Sequence, residues 1–280
     1  MRVHKTLEGK KMKYVHGYSD RENERLRDQS GILATLLHEG TNYPAGSEVL
    51  EAGCGVGGQT IILAANSPGA RFTSIDISEK SIEQAEAVIK KGKFSNVTFR
   101  LENVMKLSFT DNSFDHIFVC FLLEHLDHPE NALLELKRVL KPGGTITVIE
   151  GDHGSCFWYP ETPESIAVWR ALVTVQQRLG HDPLIGRRLY PLLHQAGFAV
   201  QDVSPRIVYG DLGKKELLDG MVNRIIVPMV SSSKKEILDV KIVDADIWNK
   251  GIADLSRTSK PPDGTFFYTW FKGMAVKNKA

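Results

Sequence analysis

An α/β fold, with a parallel sheet covered by helices on both faces, is predicted by three observations. Short β-branched runs recur along the chain: EVLEAG (48–53), RFTSID (71–76), NVTFRLE (96–102), FDHIFVC (114–120) and GTITVIEG (144–151). Helical stretches such as SEKSIEQAEAVIKK (78–91) and PENALLELKRVL (129–140) separate them, the alternation expected of βαβ units. The first run also ends in a glycine-rich turn, VLEAGCGVGG (49–58), where a strand hands over to a helix.

Taken in order, the first 20 residues are polar and rich in glycine and lysine, and read as an arm. Ser19 or Asp20 then caps a helix whose apolar side is Leu26, Ile32, Leu33, Leu36 and Leu37. TNYPAGS (41–47) breaks it before the strand and helix alternation begins. Beyond residue 150 the rhythm loosens. CFWYPETPESIAVWRALVTVQQRLG (156–180) precedes one more helix and strand, GRRLYPLLHQAGFAVQDVSPRIV (186–208), and residues 209–264 precede a last apolar strand, TFFYTWFKGMAV (265–276). The division expected is an N-terminal arm and helix over 1–45, and one domain over 46–280 carrying helical cap insertions at about 153–185 and 209–264.

Composition bounds the function. A chain of 280 residues, 42% hydrophobic and 8% aromatic, can bury a full core. Its 35 basic and 34 acidic residues leave a net charge of +1, without the footprint of a dedicated nucleic-acid binder. Cys54, Cys120 and Cys156 are spaced for neither a disulfide framework nor zinc, the histidines show no metal-binding spacing, and no metal is expected. Nowhere do 18 apolar residues run together, and no export signal is evident, so a soluble cytoplasmic protein is expected.

Gly53, Gly55 and Gly58 satisfy G-x-G-x-x-G, which fits a dinucleotide or simply a tight turn. Glu51 discriminates between ligands, because a pyrophosphate against this turn would be opposed by the carboxylate. S-adenosylmethionine (SAM) has no phosphate and carries an ammonium and a sulfonium. Asp76, at the end of the second strand, can accept from both ribose hydroxyls of either cofactor, or cap the helix that begins at SEKS.

Residues 14 to 150 resemble the class I SAM-dependent methyltransferases, in the broad small-molecule group that includes quinone-biosynthesis methyltransferases. VLEAGCGVGG, SIDIS (74–78), ENVMKLSFTDNSFDHIFVCFLLEHL (102–126) and RVLKPGGTITVIEG (138–151) carry the resemblance. It implies a doubly wound sheet of order 3-2-1-4-5-7-6 with strand 7 antiparallel, TFFYTWFKGMAV being that strand. It implies SAM as cofactor and S-adenosylhomocysteine (SAH) as product. Glu51, Gly53, Cys54 and Gly55 would line the methionyl and ribose side, Asp76 the ribose and Ile77 the adenine. Asn103 stands where an aspartate is common; it would accept from the adenine amino group, beside the Val104 N–H, or serve as a turn residue. Cys120 and Phe121 would lie near the methionyl part, with His125 on the cofactor side or structural. An N-terminal segment closing over the cofactor would bring Tyr14 or Tyr18 to the sulfonium and Arg25 or Gln29 to the carboxylate. That arm is also a means of pairing subunits.

Methyl transfer is an in-line displacement on an activated carbon, and needs mainly alignment and exclusion of water. If a hydroxyl or amine accepts, His153 in the loop EGDHGS is the candidate general base, oriented by Asp152. Phe157, Trp158, Tyr159 and Trp169 offer an aromatic wall or ordinary packing, and Arg187 and Arg188 meet an acidic substrate group or solvent. The function expected is SAM-dependent methyl transfer to a small molecule. An NAD-dependent oxidoreductase and a catalytically idle SAM-binding protein are the alternatives.

Overall fold

Strands covered on both faces carry continuous apolar runs, and the centre of this sheet obeys that rule. The computed structural model describes residues 31–260 and 262–279. β1 (Glu48–Ala52), β2 (Arg71–Asp76), β3 (Val97–Leu101), β4 (Phe114–Cys120) and β5 (Leu140–Tyr159) run parallel. With β6 (Ala199–Asp211) and β7 (Thr265–Val276) they form a seven-stranded sheet of order β3-β2-β1-β4-β5-β7-β6. β7 is antiparallel to both neighbours, as the resemblance implies. Leu50, Ile117 and Val148 fill one face of the sheet, and Val49, Phe118 and Ile149 the other.

Residues 31–38 are helical (α1) and bury Leu33 and Leu37 against the second of these faces. α2 (Gly58–Asn66) and α3 (Glu79–Lys91) link the first three strands, and α4 (Pro129–Val139) leads into β5. α5 (Pro163–Arg178) and α6 (Leu189–Gln195) separate β5 from β6. Local chemistry sets these starts. The Ser78 hydroxyl accepts from the Ser81 N–H and caps α3, so Asp76 is not the cap. Thr162 and Ser165 form a reciprocal capping box at α5, with Pro163 in its first turn.

β5 is longer than the sequence suggests. Its pairing with β7 is interrupted between Gly151 and Cys156, then resumes from Cys156↔Tyr268 to Tyr159↔Thr265. The region read as a cap from residue 153 therefore opens as strand, and β6 likewise runs on to Asp211. The extension is stabilised on one face, where Cys156, Trp158, Val208, Phe266 and Tyr268 are buried beneath the helices that follow. These are α5, then α7 (Lys215–Asp219), a π-helical stretch (Gly220–Ile226), α8 (Val227–Ser232), α9 (Lys234–Asp239) and α10 (Ala245–Arg257). Trp169, Met221, Ile225 and Leu255 from this cap join the same apolar cluster as Leu33 and Phe118 of the body. No helix among the described residues is long and apolar enough to cross a membrane.

A buried lysine ties α1 to this face. Lys272, in the middle of β7, donates from Nζ to the carbonyls of Leu37 and Glu39, satisfying acceptors at the end of α1 with a cation. Burial lowers its ammonium to about 8.

The cap depends on one close crossing. A Cβ at Gly251 of α10 would stand 2.4 Å from the Glu164 carbonyl oxygen and 2.7 Å from Val168 Cγ1 of α5. Gly251→Ala is therefore expected to destabilise the protein by about 1–3 kcal/mol through overpacking, read as a lower urea midpoint. Asn249→Ala, on the exposed side of α10, is expected to stay within about 0.5 kcal/mol of the parent.

Candidate functional site

The site grows from the end of β1, where the chain turns back through Gly53 to Gly57 before α2. The Gly53 and Cys54 N–H groups both donate to the Ile75 carbonyl at 2.9 Å, drawing the turn onto β2. The Gly55 N–H donates to Asp76 Oδ2 at 2.9 Å, and the Ser78 N–H donates to Asp76 Oδ1 at 2.9 Å. Gly53 and Gly57 take φ of 76° and 82°, in the left-handed region. A Cβ on Gly53 would press on the Leu122 side chain at 3.0 Å, and one on Gly57 would press on Ala85 at 3.0 Å. Gly57 is thus the glycine that the turn requires, whereas Gly58, which completes the sequence motif, is the first residue of α2.

Beside the turn lies a small open cleft, lined by Gly53, Asp76, Ile77, Asn103 and Val104, all anticipated, and by Ile75, Glu102 and Leu122, which were not. Ile77 is 48% exposed, an apolar side chain left open at the cleft. Asp76 offers two oxygens, each holding one backbone N–H and retaining a lone pair. Asn103 Oδ1 accepts from the Met105 N–H at 2.9 Å, so the side chain does serve as a turn residue while lining the cleft.

Other anticipated residues stand outside that lining. Glu51 is 2% exposed, and its Oε2 accepts from the hydroxyls of Thr60 and Ser74 at 2.7 and 2.6 Å. It lies behind the turn instead of along it. Burial pushes its carboxyl up to about 7, against the pull of those two hydroxyls. Cys54 and Gly55 belong to the turn itself. Cys120 is buried, and burial pushes its thiol far up, the setting of an inert thiol. Phe121 takes φ of 55°, a strained conformation for a side chain of its kind, and its N–H is held by the Ile149 carbonyl. His125 sits in a 3₁₀ turn, Leu123–His125, edge-on to His181 at 5.5 Å between ring centres. Tyr14, Tyr18, Arg25 and Gln29 lie outside the described residues.

Sequence reasoning missed Glu150. Its fully buried carboxylate accepts from the N–H groups of Leu122 and Leu123 at 3.0 and 2.7 Å, fixing the bend that carries Leu122 over Gly53. Burial, and then the charge of Glu124, holds its carboxyl well above the usual range. The one signal was an acid directly after the run Ile146 to Ile149.

His153 is not in an exposed loop. It lies in β5, 4% exposed, with Nδ1 2.6 Å from the Tyr268 hydroxyl and its ring 5.2 Å from that of Trp169. Asp152 does not orient it. Both Asp152 oxygens are held by Arg187, at 2.8 and 3.0 Å, together with the Ser155 hydroxyl and the Gly154 N–H. Arg187 thus meets an internal acid, and Arg188 likewise pairs with Asp182. The aromatic wall divides, with Trp158 and Trp169 packed inside and Phe157 and Tyr159 exposed.

Residues 50–148 match the family model described as a methyltransferase domain. The chain is 30% identical over 195 residues to the O-methyltransferase resE of Aspergillus sclerotiorum, covering 67% of this chain and 70% of that one. It is 40% identical over 116 residues to a demethylmenaquinone methyltransferase of Tropheryma whipplei, a match spanning 41% of this chain and 46% of the relative. Among solved structures, phosphoethanolamine N-methyltransferase 2 of Haemonchus contortus, in complex with SAM, shares the fold with a TM-score of 0.54. That match has 18% identity and covers 90% of this chain and 53% of the other.

Two outcomes are expected of the acids. Asp76→Ala removes the acceptor of the Gly55 and Ser78 N–H groups together with a carboxylate that lines the cleft, and should weaken SAM binding by roughly 1.5–3 kcal/mol in calorimetric titration. Glu51 has an ordinary carboxyl near 4.5 and a folded value of about 7, so the folded protein keeps a proton that the unfolded chain releases. Stability from this group therefore falls as pH rises from about 4.5 to about 7, by up to roughly 3 kcal/mol. Glu51→Gln should raise the thermal midpoint at pH 8 without ligand. It should also weaken SAM, and flatten the gain in SAM affinity that is expected of the parent between about pH 6 and pH 8.

Proposed function

We propose, given that the chain belongs to the class I SAM-dependent methyltransferases, that the cleft beside the glycine turn is its SAM site and that the acceptor is a hydroxylated, apolar ring compound. Transfer of a methyl group from SAM to a small molecule is the activity of the family. What carries the assignment of the site is Asp76, which ties the glycine turn to β2 while lining the cleft with free acceptor capacity. In this reading the Asp76 oxygens accept from the ribose hydroxyls, and Ile77 and Val104 cover the adenine. The turn from Gly53 to Gly55 lets the methionyl part approach the backbone. Glu51 acts through its charge from behind the turn, favouring a ligand that carries positive charge.

SAM supplies a methyl carbon activated by a positively charged sulfur. The residues of this chain have then to align the acceptor and keep water out. In this reading the acceptor side lies at the extension of β5, where His153 follows Ile149, the partner of Cys120 at the end of β4, and where Cys156 pairs with Tyr268 of β7. Two relatives support this acceptor through their names, an O-methyltransferase for the oxygen and a demethylmenaquinone methyltransferase for the ring.

Calorimetric titration with SAM, SAH and NAD tests the site. SAM and SAH should bind with one-to-one stoichiometry and NAD should not. Binding of NAD alone would make the chain an oxidoreductase. A protein that binds SAM yet transfers no labelled methyl group to any of a panel of phenols, quinols and amines would favour the idle binding protein.

A further inference from the structure

Side chains alternate across a strand, so the extension of β5, β7 and β6 has a second face, opposite the one buried beneath the cap. Nearer the body α6 covers that face, with Leu189 and Leu193 against Gly273 of β7. Farther out, Phe157 of β5, Phe267 of β7 and Tyr209 of β6 pair directly across the sheet as one aromatic row. The rings of Phe157 and Phe267 are centred 5.9 Å apart. Ile207, opposite Thr269, and Tyr159, opposite Thr265, flank the row. Phe157, Tyr159, Ile207 and Tyr209 are each about half exposed. Side chains of this size carry roughly 200 Å² each, so the four leave about 400 Å² of mainly apolar surface open. A patch of that size is often functional, and it is about half of the ~800 Å² that each partner of a stable dimer covers.

We propose that this face is covered by a second copy of the chain, related by a twofold axis that runs along the aromatic row. Addition of a foreign strand at the edge is disfavoured, because β6 is the outermost strand and its Pro205 offers no N–H. The far end of the three strands is acidic, with Asp211 closing β6, Glu161 two residues after β5 and Asp263 two residues before β7. Acids there are adverse to an anionic lipid surface. A second copy meets them with cations. The rotation reverses the strands, so whatever lies beyond the row in one chain faces what lies before it in the other. Glu161 stands four residues beyond Phe157. Before the row, on the same side as α6, comes the 3₁₀ turn Ile185–Arg188, where a Cβ at Gly186 would meet the Gly151 carbonyl oxygen at 2.8 Å. Gly151 pairs with Trp270, three residues from Phe267, so the turn and Glu161 stand at similar distances from the axis. That turn carries Arg187 and Arg188, half-exposed guanidiniums that hold Asp152 and Asp182 and keep further N–H groups. Each copy thus offers its acidic end to the partner's arginine turn, while Phe157, Phe267 and Tyr209 lie over their equals. The polar rim supplies the area that the row lacks, around an apolar centre.

Sedimentation equilibrium of the full chain should show a dimer with a dissociation constant of about 1 μM or tighter. Phe157→Glu combined with Tyr209→Glu should weaken it by about hundredfold or more, since each carboxylate would be buried against rings without a partner. Both positions are open in the single chain, so the far-UV circular dichroism should match the parent's. Leu101→Glu, at an exposed leucine on the opposite edge of the sheet, should leave the dimer intact. In Tyr209→Cys, a bismaleimide of about 10 Å reach should join the two copies, the native cysteines being buried. Hydroxyl-radical oxidation of the parent protein needs no variant. It should fall at Phe157, Tyr159 and Tyr209 as concentration rises through the dissociation constant, and stay level at Leu101. Oxidation that stays level at all four residues overturns the face, whatever the variants do, and so does a dimer that survives the double substitution. A chain that is monomeric at about 100 μM overturns the second copy. If that monomer binds vesicles of phosphatidylcholine and phosphatidylglycerol, and the double variant does not, the face belongs to a membrane instead. A dimer that depends on the row yet is not cross-linked in Tyr209→Cys overturns the axis.

Discussion

The carboxylate of Asp76 accepts from the Gly55 N–H with one oxygen and from the Ser78 N–H with the other, and so clamps the end of β2 to two turns at once. One turn is the glycine loop between β1 and α2, and the other is the entry to α3. Without that clamp the glycine loop would keep its tie to the Ile75 carbonyl but lose control of the residues that face the cleft. The same side chain lines the cleft. Its structural duty and its proposed ligand duty are therefore inseparable, because the backbone bonds aim the oxygens whose remaining lone pairs a ribose would use.

Around that clamp the protein maintains three buried ionisable groups at a cost in stability. Glu51 sits behind the glycine turn, Glu150 under the bend at Leu122, and Lys272 beneath the end of α1. Each is hydrogen-bonded, which is what allows it to be buried at all. Each also fixes an element that an apolar residue of equal size would leave loose. Glu150 sets the height of Leu122 over Gly53, and Lys272 closes the last carbonyls of α1. Such expensive groups gather where backbone ends, not side-chain packing, must be positioned.

The alternation of elements was legible from short-range pattern, since β-branched runs and amphipathic helices leave periodic traces, whereas the sheet order came only with the resemblance to the methyltransferase family. Asp76 was legible from its place at the end of β2, and Ile77, Asn103 and Val104 from the family resemblance. The resemblance and the charge argument put Glu51 along the turn; Thr60 and Ser74, nine and 23 residues on, hold its carboxyl behind it. Glu150, Tyr268 and Lys272 were invisible because their partners are set by tertiary register. Tyr268 lies 115 residues from His153, and no local pattern joins them. The length of β5 was misjudged for the same reason, since only pairing with β7 shows that residues 156 to 159 are strand.

β7 follows every other strand in the chain, yet it occupies the slot between β5 and β6. During synthesis from the N-terminus those two strands emerge with facing edges open, and nothing bridges them until the final strand arrives. Open edges of this kind are templates for mispairing with other chains. Lys272 and Tyr268 ride on that late strand, so the anchor of α1 and the partner of His153 arrive together with sheet closure. A nascent chain can thus assemble the half that holds the glycine turn and Asp76 early, while the half built on β5, β6 and β7 stays incomplete until the sheet is sealed.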